Sequence, residues 1–247
     1  MRMALIPPRG YEKTALWSDI HLVLPLPSLT RNMDYIRMYD FARKRGDYII
    51  LDNGCAEGSL VSPKDLMLFA QVIRPHEIVA PDILDDAQGT WDLTSKFFSD
   101  GPEDVRDYNI MAVLQGKSVQ ERMSLLEAFA SIPEITAIGI PKIIVRQPGS
   151  TIRLTTAMAI EAAYPNRFQI HLLGLNKAFP TEIRDVAFPH WIRSMDSAQP
   201  YKVTEADHML SARPYAARRS DYFEQVKTVD MELLKANVGL ARKWAER

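Results

Sequence analysis

One cysteine, Cys55, stands among 247 residues. It excludes an intramolecular disulfide and any zinc site built from several cysteines. No apolar run is long enough to span a bilayer, and Met1 to Pro8 is too short for the apolar region of a signal peptide, so the expected location is cytoplasmic, without a membrane. The formal net charge is only −1, which gives no global pull toward polyanions. Also missing is a G-x-G-x-x-G turn after the first strand, the fingerprint of a doubly wound dinucleotide fold. The five histidines form no H-x-H or H-E-x-x-H spacing, so neither metal nor cofactor is expected.

What is present is an alternation of short apolar runs with capped helical patterns. Met3–Ile6, Ile20–Pro25, Tyr48–Leu51, the run from Glu77, the run from Asn109, Thr136–Ile140, the run from Phe168 and the run from His190 read as eight strands. Asn32, Ser62-Pro63, Thr90 and the capping box Ser118-Val-Gln-Glu121 read as helix starts, with Thr204 as another. Strict strand–helix alternation implies a parallel sheet covered by helices, and eight units in this length predict a single domain over 1–247: an α/β protein with a (β/α)8 barrel. An open doubly wound sheet is the competitor. Too few residues separate the first two strands for a full crossover helix, so the first unit is irregular. From Asp221 an amphipathic helical pattern runs to the C-terminus.

A (β/α)8 barrel gathers the C-terminal ends of its strands at one mouth. Here those ends carry Asp52, Asp82, Gln115-Gly116, Gly139, Gly174 and Asp196. Alone, each acid reads as a turn residue bonding its own backbone. Three acids on three strand ends point instead to a site that stabilises positive charge, binds a metal or protonates a leaving group. His171 lies three residues short of its strand end, where a packed, hydrogen-bonded core histidine is expected.

Charge is also uneven along the chain. Lys142, Arg146 and Arg153 have no acid between Pro141 and Ile160, and Arg213, Arg218 and Arg219 have none between Met209 and Ser220. Such runs usually mark solvated faces. Tyr215 and Tyr222 flank Arg218-Arg219, compatible with base stacking but more often helix packing.

The ordered set Leu51-Asp-Asn-Gly54, Pro81-Asp82, Val113-Leu-Gln-Gly116, Ile138-Gly139, Leu172-Leu-Gly174 and Ser194-Met-Asp196 resembles the strand-end motifs of the tRNA-guanine transglycosylase superfamily. Its phage-type branch, the 7-deazaguanine DNA transglycosylases, is most similar, and the likeness covers roughly Ile49 to Pro200. The resemblance implies exchange of guanine for a free 7-deazaguanine base, such as the 7-cyano derivative, through a covalent glycosyl-enzyme. Asp196 would be the nucleophile on C1′ and Asp52 the general acid/base. Asp82 would accept from the N1–H and amino edge of the purine. Gln115, Gly116, Gly139 and Ile140 would meet O6 and the five-membered ring, with Gly54 and Gly174 allowing close approach.

One cysteine cannot supply the zinc site of the tRNA enzymes, which shifts the expected polymer to DNA, with its guanine flipped out or single-stranded. A phage-encoded member would work in the host cytoplasm. Cys55-Ala56-Glu57 stands where the tRNA enzymes carry a base-stacking aromatic residue. Lys142, Arg146, Arg193, Lys202, Arg213, Arg218 and Arg219 are then the expected phosphate contacts, although Arg193 equally suits an ion pair in the barrel wall. Two other readings remain at this stage: a hydrolytic N-glycosidase using the same acids, and a non-catalytic DNA-binding protein with this fold.

Overall fold

Eight short strands, β1 (Arg2–Leu5), β2 (Ile20–Val23), β3 (Tyr48–Leu51), β4 (Glu77–Val79), β5 (Asn109–Val113), β6 (Ile135–Pro141), β7 (Gln169–Leu173) and β8 (Ser194–Ser197), form one parallel sheet. Its order is β1-β8-β7-β6-β5-β4-β3-β2, an α/β (β/α)8 barrel. The computed structural model describes residues 1–58, 61–100, 103–145, 150–175, 182–210 and 220–246. Among them, no helix is long and apolar enough to cross a membrane.

The seam between β1 and β2 is bridged by one side chain. Ser18 donates its hydroxyl proton to the Met3 carbonyl (2.7 Å) and accepts from the Ile20 N–H (3.3 Å). Only a six-residue 3-10 turn, Glu12–Trp17, occupies the space where a crossover helix would normally lie. Arg45 secures it, donating to the carbonyls of Leu16 and Ser18 and to the Asp47 carboxylate, which also pairs with buried His21.

Around the sheet lie α1 (Pro27–Thr30), α2 (Met33–Arg45), α3 (Pro63–Ile73), α4 (Ala87–Ser99), α5 (Val119–Ala130), α6 (Ile152–Ala163), α7 (Glu182–Asp185), α8 (Gln199–Glu205) and α9 (Met231–Ala245). Asn32 and Ser62 cap α2 and α3, and the Ser118/Glu121 box opens α5, as their sequence patterns predict. Elsewhere local chemistry moves the boundaries. Asp86 rather than Thr90 caps α4, because its carboxylate accepts from the Gly89 N–H, while Thr90 bonds back to Ile83. Thr204 lies near the end of α8, its hydroxyl spent on the Pro200 carbonyl. The C-terminal helix starts at Met231 under an Asp230 cap, not at Asp221. Buried Tyr222 anchors the preceding turn by donating to the Ile6 carbonyl, and is unavailable for base stacking.

Polar groups also fill the floor of the barrel. Arg193 pairs with buried Glu77 through both guanidinium ends (2.7 and 2.8 Å), and Tyr48 donates to the same carboxylate (3.1 Å). Arg193 precedes β8 and so lies at the end opposite the mouth, which corrects its placement among the phosphate contacts: it is the barrel-wall ion pair.

Arg153 on α6 is likewise fully buried, and therefore not part of a basic face. It donates to Glu182 (2.9 Å) and to the Gly174 carbonyl (2.9 Å), tying α6 to the strand end of β7. Arg153→Met should strand the Glu182 charge in the interior and cost about 3–5 kcal/mol of stability, read by chemical denaturation. A loss within about 0.5 kcal/mol would contradict a structural role for the pair.

Candidate functional site

The strand ends surround a cavity of about 630 Å³ at the barrel mouth, a volume within the usual range for small-molecule sites. Its walls carry Asp52, Asp82, Gln115, Gly174, Lys142, Lys202 and Asp196, together with Leu22, Leu24, Val79, Val113 and Leu173. No aromatic side chain stands among the described lining residues, so a flat ligand here meets aliphatic surfaces.

Asp52 follows β3 directly and is buried against that aliphatic wall. Burial pushes its carboxyl up to about 8, helped by the negative charges of Glu57, Asp196 and Asp82. It therefore holds a proton at neutral pH, as a general acid must.

Asp196, on β8, is biased the other way. Burial alone would raise it, but His171, the Gly174 N–H and the charge of Lys142 together outweigh burial and hold it below the ordinary carboxylate range. The Gly174 amide lies 2.7 Å from Oδ1 and the His171 ring nitrogen Nε2 at 3.3 Å. Gly174 adopts φ +67°, and a Cβ there would meet the Lys142 stem at 2.7 Å. Both facts favour glycine at this position.

His171 is the site residue that sequence reasoning undervalued. Burial lowers its pKa, so the ring is neutral and carries one N–H. Nε2 faces the ionised Asp196, which accepts only, so the proton is assigned there, and Nδ1 accepts from the Ser194 hydroxyl (2.8 Å). Arg193 Nε donates to the same Ser194 oxygen (3.2 Å). A continuous hydrogen-bonded line thus runs from Asp196 at the mouth, through His171 and Ser194, to Arg193 and Glu77 on the floor. The signal in the sequence was the period of two: Ser194 and Asp196 share one face of β8, and His171 is in register with Ser194.

Asp82, just beyond β4, is held by Asn53 Nδ2 (2.7 Å) and Gln115 Nε2 (2.5 Å). Asn53 also donates to the Ala80 carbonyl, and the Gln115 oxygen accepts from the Asp85 N–H (3.1 Å). Burial raises Asp82 in spite of these donors. Gln115 thus fixes Asp82 as well as facing the cavity, and Asn53, in the turn after β3, fixes it with its own side chain.

Four expected contacts do not reach the cavity wall. Gly139 lies a layer deeper, where a Cβ would collide with Leu173 Cδ1 at 2.6 Å; its absence makes room for Leu173 and Met111. Ile140 is fully buried, and strand alternation turns it toward the helical layer. Gly116 faces α5, its carbonyl accepting from Arg122. Gly54 forms the left-handed turn (φ +79°) below Cys55. The Cys55 thiol is pushed up to about 12 by burial and by neighbouring Asp82, which removes it as a nucleophile.

Of the expected phosphate contacts, Lys142 and Lys202 line the cavity. Arg146, Arg213, Arg218 and Arg219 lie outside the described residues, as does Tyr215. Among the described residues no three His, Cys, Asp or Glu side chains are grouped to hold a metal ion.

The arrangement combines a protonated and an ionised carboxylate across one cavity with a third, clamped carboxylate beside them. Compared with known proteins, the chain matches no protein-family model and no curated protein sequence.

Proposed function

We propose that this protein is a base-exchange transglycosylase that replaces guanine in DNA with a 7-deazaguanine base through a covalent Asp196–glycosyl intermediate. One observation carries the reading: two carboxyl groups facing the same cavity have opposite proton affinities, Asp52 at about 8 and Asp196 below the carboxylate range. Such a pair separates the acid from the nucleophile at neutral pH.

In the first step an Asp196 oxygen bonds to C1′ as the C1′–N9 bond breaks, and the electron pair leaves with the purine. The Asp52 proton neutralises the departing base. In the second step the incoming base gives its proton to the Asp52 carboxylate, its nitrogen bonds to C1′, and the Asp196 ester bond breaks. Both residues return to their starting states without a metal or redox partner. Asp82, fixed by Asn53 and Gln115, accepts from the N1–H and amino groups of either base. The aliphatic walls hold the flat ring, and a flipped or single-stranded nucleotide is needed for C1′ to reach the mouth.

The test is incubation of the protein with guanine-containing single-stranded DNA and the 7-cyano base, followed by nucleoside analysis. The reading expects stoichiometric loss of guanine and gain of deazaguanine. Guanine release without replacement would assign a hydrolytic N-glycosidase instead, and unchanged DNA would overturn the proposal.

A further inference from the structure

Asp196 and Asp82 account for two sides of the cavity, and a third polar group there has no assigned work. Gln199 opens α8, three residues beyond Asp196, and lines the same cavity. The residue is 1% exposed, and among the described residues neither its side-chain amide nitrogen nor its oxygen has a hydrogen-bond partner. A buried primary amide without partners destabilises the fold unless a ligand completes it. Glu182 and Asn237 are buried too, but each makes hydrogen bonds that explain it, and Arg122, whose Nε has no partner, still donates through Nη1 to the Gly116 carbonyl.

The position of Gln199 selects the ligand. Eight strands in cyclic order put β4, with Asp82, across the barrel from β8. If Asp82 reads the base, the β8 side faces the sugar and its flanking linkages. Lys202 lies one helical turn after Gln199 and lines the cavity with it, as does Ser220. An amide N–H₂ and an ammonium carried by one helix beside a cavity form a donor set suited to anionic oxygen.

Resting on the base-exchange reading, we infer that Gln199 is a specificity-determining contact to a phosphodiester flanking the target nucleotide. Its N–H₂ donates to a phosphate oxygen, and a water of the phosphate's hydration shell donates to its carbonyl. The unbranched side chain rotates to bring the amide to the cavity surface. The contact distinguishes a nucleotide within a strand from a free nucleoside, which carries no linkage to grip.

The experiment is fluorescence anisotropy with a labelled single-stranded oligodeoxynucleotide containing one guanine, and with the same strand carrying methylphosphonates on both sides of that guanine. For the wild type, methylphosphonate replacement should weaken binding about tenfold, the scale of one hydrogen bond to a charged group. Gln199→Leu should bind the native strand about tenfold more weakly and be indifferent to the methylphosphonates. The same variant should unfold at a temperature at least as high as the wild type, because a buried unpaired amide has been replaced by an apolar group of similar size.

Wild-type binding of the native strand by Gln199→Leu, or losses that multiply when the two changes are combined, would overturn the contact. So would a wild type that binds neither strand. If a ribonucleotide at the target tightens wild-type binding and Gln199→Leu removes that gain, the amide reads a hydroxyl and the phosphate assignment fails. Every protein in this experiment carries Asp196→Asn, with Gln199 retained as the wild type or changed to Leu in that background, so no covalent adduct forms and anisotropy reports binding alone. An oligonucleotide that binds as expected but exchanges no base with the protein that keeps Asp196 would therefore count against base exchange alone.

Discussion

Asp196→Asn is expected to abolish base exchange, lowering the rate by about 10⁴-fold or more, because the carboxylate oxygen that forms the covalent bond is replaced by a weakly nucleophilic amide. Asn keeps the volume and an oxygen able to accept from the Gly174 amide, so the loss should be chemical and not a collapse of the site. Cys55 offers no bypass, since its thiol is held far from ionisation. Folding gives an independent readout. A carboxylate held below its unfolded pKa contributes stability above the carboxylate range, and that contribution fades as the pH falls through the folded value. Asp196→Asn should flatten this acid-side decline. A variant retaining a tenth of wild-type activity would remove Asp196 from the covalent step.

The second large effect belongs to Asp52. Asp52→Asn should slow formation of the covalent intermediate by about 10²–10⁴-fold, the usual contribution of a general acid. In the wild type this step should hold steady at neutral pH and decline as Asp52 loses its proton near pH 8. Asp52→Asn should lack that alkaline limb. Stability runs in the matching direction. Between the unfolded carboxyl value and about 8 the folded chain keeps a proton that the unfolded chain releases, so stability falls with rising pH over that window. Asp52→Asn removes the dependence and should melt higher than the wild type at pH 8, while the difference shrinks toward pH 4. Single-turnover rates and thermal scans across pH check both halves. A wild-type rate still climbing at pH 9 would contradict the protonated form as the acid.

Much of this arrangement was legible in the residues. Strand–helix alternation carried the barrel, because parallel strands buried on both faces read as uncharged apolar runs. The acids at three strand ends converge because barrel geometry brings those ends together. What escaped depended on tertiary partners. His171 looks like a core histidine, and it is one, but its neighbour is Asp196, which only the β7–β8 register reveals. Arg193 and Arg153 read as basic because their partners, Glu77 and Glu182, lie 116 and 29 residues away in sequence. Gly139 was expected to admit a base, whereas the space beside it is taken by Leu173 and Met111. Gln199 gave no signal at all, since an unpaired amide exists only once its surroundings are folded.

The covalent bond is the centre of the account, and mass spectrometry of the protein mixed with guanine-containing DNA under denaturing quench tests it most directly. The account predicts a protein–DNA adduct that has lost guanine, with the modified peptide carrying its mass on Asp196, and discharge of that adduct when the 7-cyano base is added before the quench. Guanine loss with no adduct at any time, or an adduct mapped to another residue, would contradict it.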